Sequence, residues 1–462
     1  MKKNLIFLSI LVILGCLHLQ LNASTARKLI AKLARKPSPV FFIADDSSGG
    51  SQTQTAPQTQ TQSQSQTQTQ SQSQSQTQQT QTLYIGFPMK LTWKFNTNGP
   101  LIAQPQTDSA AVYCLSKPGT VYSVNQADGK QIWKTNLGDS AEEAFLLKNG
   151  VLYEGTQRGL LFAVEKTKGQ QLWTQKLEGE SFLTMPAADD ANLYFLGSHG
   201  TVVALKQKTG AFVWKFKAGS ACSTTPFLRG NTLFIGCDDH FLYAIDSNAG
   251  YVRWKFNAGF PVKGSPVADS EYVFMGNEDG VFYCLQASNS KLKWKLKTGG
   301  AVRGVPTFYT NKDETLPSEV LFAALDNFLY DIKIKNGGRK WLSPTASRVY
   351  NRMFFDRALI FLAPFGSNIY GFDPHTGQRV GDFNTNSRIR SSPITANDRL
   401  FIGLNNGNLL CLTRTPPPPP EDQDQQQASA TQSAQQAPQN ESEEAETEPE
   451  TQTQTQTQSQ TQ

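Results

Sequence analysis

The chain has 462 residues, of which 38% are hydrophobic and 18% charged, with a formal net charge of +5. Its basic residues are spread along the chain rather than clustered, which argues against a nucleic-acid-binding protein. The four histidines (His18, His199, His240 and His375) have no metal-ligand spacing, and no Gly-x-Ser-x-Gly, Walker loop or dinucleotide fingerprint occurs.

In chain order, residues 1–23 form a targeting segment: Lys2 and Lys3, then the apolar run Leu5–Leu14. This run is too short for an ordinary spanning helix. Ile13-Leu14-Gly15-Cys16 fits a lipoprotein signal cleaved before Cys16, with lipid on its sulfur; cleavage after Ala23, giving a soluble secreted form, is the alternative. Both readings export the protein. Residues 24–82 begin with a basic stretch, Arg27, Lys28, Lys32, Arg35 and Lys36, suited to an anionic membrane surface or to a solvated spacer. They continue as a Gln/Thr/Ser tract with nothing to bury.

Residues 83–415 are organised by seven tryptophans: Trp93, Trp133, Trp173, Trp214, Trp254, Trp294 and Trp341. A period near forty residues marks a repeat architecture. Within the unit Ser265–Trp294, turn signals at Asp269-Ser270, Asn277–Gly280 and Gln286–Ser290 separate four short β-rich runs. A four-stranded antiparallel unit of this length is a β-propeller blade, so the fold class is all-β. The Trp slot near Val380 is empty, and three strands then remain, at Ser391–Thr395, Leu400–Gly403 and Asn408–Thr413. The strand around Met89–Phe95 is expected to complete that last blade, giving eight; seven is the alternative if the 341–380 unit is degenerate. An insertion at Thr310–Ser318 explains the single wider Trp spacing. Residues 416–462 open with a polyproline run and continue as an acidic, Gln-rich tail without Lys or Arg.

Cys222 and Cys237 fall on consecutive strands around the Arg229-Gly230-Asn231 turn, close enough for a disulfide in an oxidising compartment. Cys114, Cys284 and Cys411 read as small buried hydrophobes. The carboxylate pairs Asp238-Asp239 and Glu278-Asp279 lie where a tight turn itself favours Asp. Three residues before an inner-strand proline stand Lys263, Arg303 and Arg390; in other blades this slot holds Ile102, Leu183 and Ser223. Innermost strands line a propeller channel, so blades 5, 6 and 8 are expected to present either a basic arc that attracts anions or acidic peptides, or solvated charges at a loop rim.

The phrase of a turn Gly followed by Trp-Lys, next to strands such as Leu-Tyr243-Ala-Ile, resembles the pyrroloquinoline-quinone (PQQ) type propeller repeat. Within that superfamily the stretch from Leu83 to Thr415 resembles the BamB-type lipoproteins of the outer-membrane β-barrel assembly machinery. The resemblance implies a non-catalytic, lipid-anchored scaffold at the outer membrane or in the periplasm. Its partners would be the barrel-assembly protein BamA and nascent outer-membrane proteins. In BamB-type proteins, partner contacts come from loops after the fourth and fifth Trp slots that carry a Leu-Arg pair and acidic residues. Here those loops read Ser220–Ser223 and Phe260–Lys263, so no contact residue carries over. Quinone-dependent relatives use adjacent cysteines and a calcium cluster; the chain has no Cys-Cys pair, so no cofactor and no enzymatic activity are expected. A ligand-binding or quinone-dependent propeller and an envelope adhesion protein are the alternatives.

Overall fold

The computed structural model describes residues 86–142, 145–310, 317–350, 352–356 and 358–414. The segment expected to be a targeting signal, with Cys16, the basic and Gln-rich stretches and the acidic tail lie outside them. Regular structure among the described residues is entirely β, arranged as eight four-stranded antiparallel sheets. Seven blades run consecutively, at 106–136, 146–176, 187–217, 227–257, 267–297, 307–344 and 354–389. The eighth takes Ile394–Ala396, Arg399–Gly403 and Asn408–Arg414 from the end of the repeat region and Met89–Asn96 from its start. The ring is thus closed by both ends of the propeller, and the seven-bladed alternative does not hold.

Burial follows position in the blade. The second and third strands read as near-continuous buried runs, as in Tyr272–Gly276 and Val281–Gln286, because a neighbouring blade covers each face. Outer strands such as Gln131–Asn136 alternate, with exposed residues around a buried Trp. Innermost strands are short; in blade 8 the ladder starts at Ile394 rather than Ser391, after Pro393, which has no N–H to donate.

Each tryptophan joins its blade to the next. Its indole Nε1 donates to a carbonyl in the turn between the third and outer strands of the following blade. Trp133 reaches Lys166 O at 2.8 Å, Trp214 reaches Ser247 O at 2.8 Å and Trp341 reaches Pro374 O at 3.0 Å. A turn residue with positive φ then lies flat on the indole. A Cβ at Gly250 would come within 2.6 Å of the Trp214 ring, at a φ of 76° that favours glycine on its own account. Within its own blade, the Trp faces a small residue on the third strand: Ser123, Ala163, Ala204, Ala244 or Cys284. A bulge skips the residue before the Trp, such as Ile132 or Val213, and turns the indole toward the next blade.

This chain of contacts explains the missing tryptophan. Blade 8 takes its outer strand from the other end of the sequence, so it has no turn between its third and outer strands for a blade 7 indole to cap. The gap is filled from the N-terminal side. Phe87 lies against Gly371 and Gly381 of blade 7, where Cβ atoms would come within 2.2 and 2.5 Å of its ring. Trp93 completes the circle by donating to Gln126 O of blade 1 at 2.9 Å.

Candidate ligand site in the propeller channel

The inner strand of each blade is preceded by a short segment that fixes the channel wall. One residue of the segment is buried against the neighbouring blade; in blades 5 to 8 these are Val262, Val302, Val349 and Ile389, none more than 1% exposed. The residue after it reaches the channel, and so does the one two positions further on. Lys263, Arg303, Tyr350 and Arg390 come from the first slot, and Ser265, Arg352 and Ser392 from the second. With Ser223 and Thr225 of blade 4, they line a cavity of about 240 Å³ that has no carboxylate in its wall. Ile102 also borders it, whereas Leu183 does not, although Met185 of the same segment does.

The three basic residues expected from the sequence therefore share one cavity. Two of them are matched by acids. Lys263 Nζ lies 3.4 Å from Asp238 Oδ2. Arg303 donates through Nε to Glu278 Oε1 at 2.8 Å and through Nη2 to Oε2 at 2.5 Å, which raises its pKa further. Asp238 and Glu278 occupy the same turn position in blades 4 and 5, so each neutralises the cation of the blade that follows. Blade 7 places Phe365 in that position, its N–H donating to Arg348 O as Asp238 N does to Ala221 O, and Arg390 has no acidic partner among the described residues.

Sequence reasoning missed Arg352. Its blade carries Met353 where six of the other seven carry the inner-strand proline, so a register counted from proline skipped the unit. The residues Val349-Tyr350, aligned with Val302-Arg303, were the available signal. Burial disfavours the charge on the Arg352 guanidinium, and no acid pairs with it among the described residues.

The remaining acid pairs serve the turns. Asp239 accepts from Tyr243 Oη at 2.5 Å and from Phe241 N at 3.2 Å, and Asp279 pairs with Lys297 at 2.8 Å. Cys222 and Cys237 form a disulfide between the channel-wall segment and the turn that follows the second strand of blade 4, with Cα atoms 4.1 Å apart. Cys114, Cys284 and Cys411 are buried, which pushes their thiols well up. His375 meets Tyr309 Oη at 3.0 Å, and His240 stacks on Phe260.

Comparison with known proteins places these features in a family. The model described as outer membrane protein assembly factor BamB matches residues 75–158, 117–265 and 238–436, together covering the whole propeller. Over 171 residues the chain is 25% identical to a tetrathionate hydrolase of Acidithiobacillus ferrooxidans, covering 32% of this chain and 34% of the relative. Over 122 residues it is 27% identical to the outer membrane protein assembly factor BamB of Yersinia pestis, covering 24% and 31%. The matched stretches thus span about a third of these relatives' length. The crystal structure of BamB from Moraxella catarrhalis superposes with a TM-score of 0.60 at 16% identity, over 70% of this chain and 99% of that one, a likeness of fold. From the family match along the full ring, the chain belongs to the outer membrane protein assembly factor BamB family.

Proposed function

We propose that this propeller is a non-catalytic protein-binding scaffold of the cell envelope. Its role is in the assembly and insertion of outer-membrane β-barrel proteins, held to the membrane by lipid on Cys16. The observation that carries this reading is the family match, which runs through every blade rather than one repeat. The surface is compatible with it. Phe365 is 51% exposed beside Arg348, on the loops joining the strands of blades 6 and 7, and the Arg388 guanidinium lies 3.9 Å from the Phe365 ring centroid. Aromatic and arginine side chains dominate protein–protein hot spots. The partner in this reading is the membrane-embedded barrel-assembly protein, a BamA-type chain, with nascent barrel strands as a second cargo.

The test is affinity capture of the tagged full chain from detergent-solubilised envelopes of its own host, followed by mass spectrometry. Co-purification of a β-barrel with periplasmic repeats supports the scaffold. Phe365→Ala combined with Arg348→Ala is then expected to reduce its recovery about tenfold or more, the loss of one hot spot. Absence of any barrel protein from the captured material rejects the reading. A second reading, a ligand-binding or quinone-dependent propeller, is favoured by the polar channel cavity and the partial similarity to a hydrolase. A visible absorbance change on adding PQQ to purified protein is the result that would establish it.

A further inference from the structure

We propose that the channel cavity of blades 5 to 8 is a binding site for a small multivalent oxyanion, carrying phosphate or carboxylate groups, with Arg352 and Arg390 as its ligating residues. The inference goes beyond the scaffold reading and stands independently of it.

Four observations carry it. First, the cavity is built by a repeated device. The wall segments of successive blades deliver side chains from equivalent slots, each set in place by a buried apolar neighbour such as Val302 or Val349. The polar groups are therefore positioned by the ring and not by a mobile loop. Second, the charge is of one sign. Lys263, Arg303, Arg352 and Arg390 line the space, and no Asp or Glu does.

Third, the four cations are not equivalent. Asp238 and Glu278 already hold Lys263 and Arg303 from outside the cavity wall. Arg352 and Arg390 have no such acid among the described residues. Arg352 is half-buried, where burial disfavours its charge, and Arg390 is exposed to the channel. Two guanidiniums at one cavity wall, with no acid beside either among the described residues, leave their donors available to a bound anion. The planar fork of each is suited to two oxygens of one carboxylate or phosphate. Fourth, the rest of the lining completes such a site. Ser223, Thr225, Ser265 and Ser392 bring hydroxyls that donate to oxyanions, and Tyr350 adds a phenol.

Size narrows the ligand. About 240 Å³ corresponds to roughly eight water molecules at about 30 Å³ each. That room suits a compact anion such as a diphosphate or tricarboxylate and excludes a folded partner.

The experiment is isothermal titration of the full-length protein with inorganic pyrophosphate and, separately, with citrate, at fixed pH and ionic strength. Saturable one-to-one binding of either probe is expected, and the two arms separate phosphate from carboxylate recognition. Arg352→Gln and Arg390→Gln should each weaken the bound probe about tenfold, the loss of one charge-assisted hydrogen bond. Lys134→Gln, on an exposed outer strand, should leave the affinity unchanged. Thermal melts of the unliganded variants keep the test open to failure by misfolding. Removing an unpaired cation should leave Tm unchanged or raise it, and added probe should raise the Tm of the native chain but not of the double variant. The proposal is overturned if neither probe binds, if the double variant binds as well as the native chain, or if Lys134→Gln weakens binding equally.

Discussion

At the scale of single residues, the most informative position is one where the repeat rule is broken. The third-strand residue facing each Trp is small in blades 1 to 5, yet blade 6 places Asp331 opposite Trp341. Asp331 is fully buried, and neither carboxyl oxygen has a hydrogen-bond partner. Burial and the nearby charge of Glu319, itself paired with Lys340 at 2.9 Å, push its pKa from an ordinary 3.8 up to about 7. The folded chain therefore keeps a proton between about pH 4 and 7 that the unfolded chain has lost. Its contribution to stability is best below about pH 4 and declines as pH rises, reaching its full penalty above about 7. Asp331→Asn should flatten that decline and stabilise the protein by about 1–3 kcal/mol at pH 8, with little change at pH 4. Denaturant melts of both chains across this range are the check; equal slopes against pH would show that Asp331 carries no extra proton.

At the scale of elements, the unit of cohesion is the contact between one blade's indole and the next blade's turn. Gly250→Ala tests it directly, since the new methyl meets the Trp214 ring and a strained φ together. A loss of about 1–3 kcal/mol is expected. Ser290, which stands at the corresponding turn of blade 5 with φ 63°, should gain stability when changed to Gly, by up to about 1 kcal/mol. Calorimetric melts that moved in the same direction for both changes would contradict this account. The blades and their order were legible in the sequence because a forty-residue period, turn glycines and Trp recur together. The purpose of the Trp was only half legible. Its spacing identifies the outer strand, but that it caps a turn in the next blade is a tertiary fact about residues 33 to 40 positions away. Lys263, Arg303 and Arg390 were legible as a set because proline marked their register. Arg352 was hidden by Met353, and the carboxylates that distinguish paired from free cations lie on neighbouring blades.

For the whole molecule, the seam is the pairing of Met89–Asn96 with Asn408–Arg414, the contact that turns a row of blades into a ring. Removing residues 1–96 deletes the outer strand of blade 8 together with Phe87 and Trp93. It exposes the third strand of that blade as a buried-type edge, and exposed hydrophobic edges promote aggregation. Such a truncated chain should melt at least about 5 °C lower and form oligomers on size-exclusion chromatography. A monomer with native Tm would mean that the ring does not depend on its seam. The intact outer strands expose a different kind of edge. Lysine follows the Trp in blades 1, 3, 4, 5 and 8, as Lys134, Lys215, Lys255, Lys295 and Lys94, and places charge along the rim where sheets of two molecules would otherwise pair.

The register of that seam has a mechanical consequence. Met89 sits opposite Arg414, so the first and last residues of the paired strands lie side by side at one end of the ladder. Tension applied between the two ends of the chain would not load all the ladder's hydrogen bonds at once. It would peel them in succession, beginning at Met89 and Arg414 and ending at Asn96 and Asn408, so that the ring gives way at its closure before any blade made of consecutive strands is disturbed.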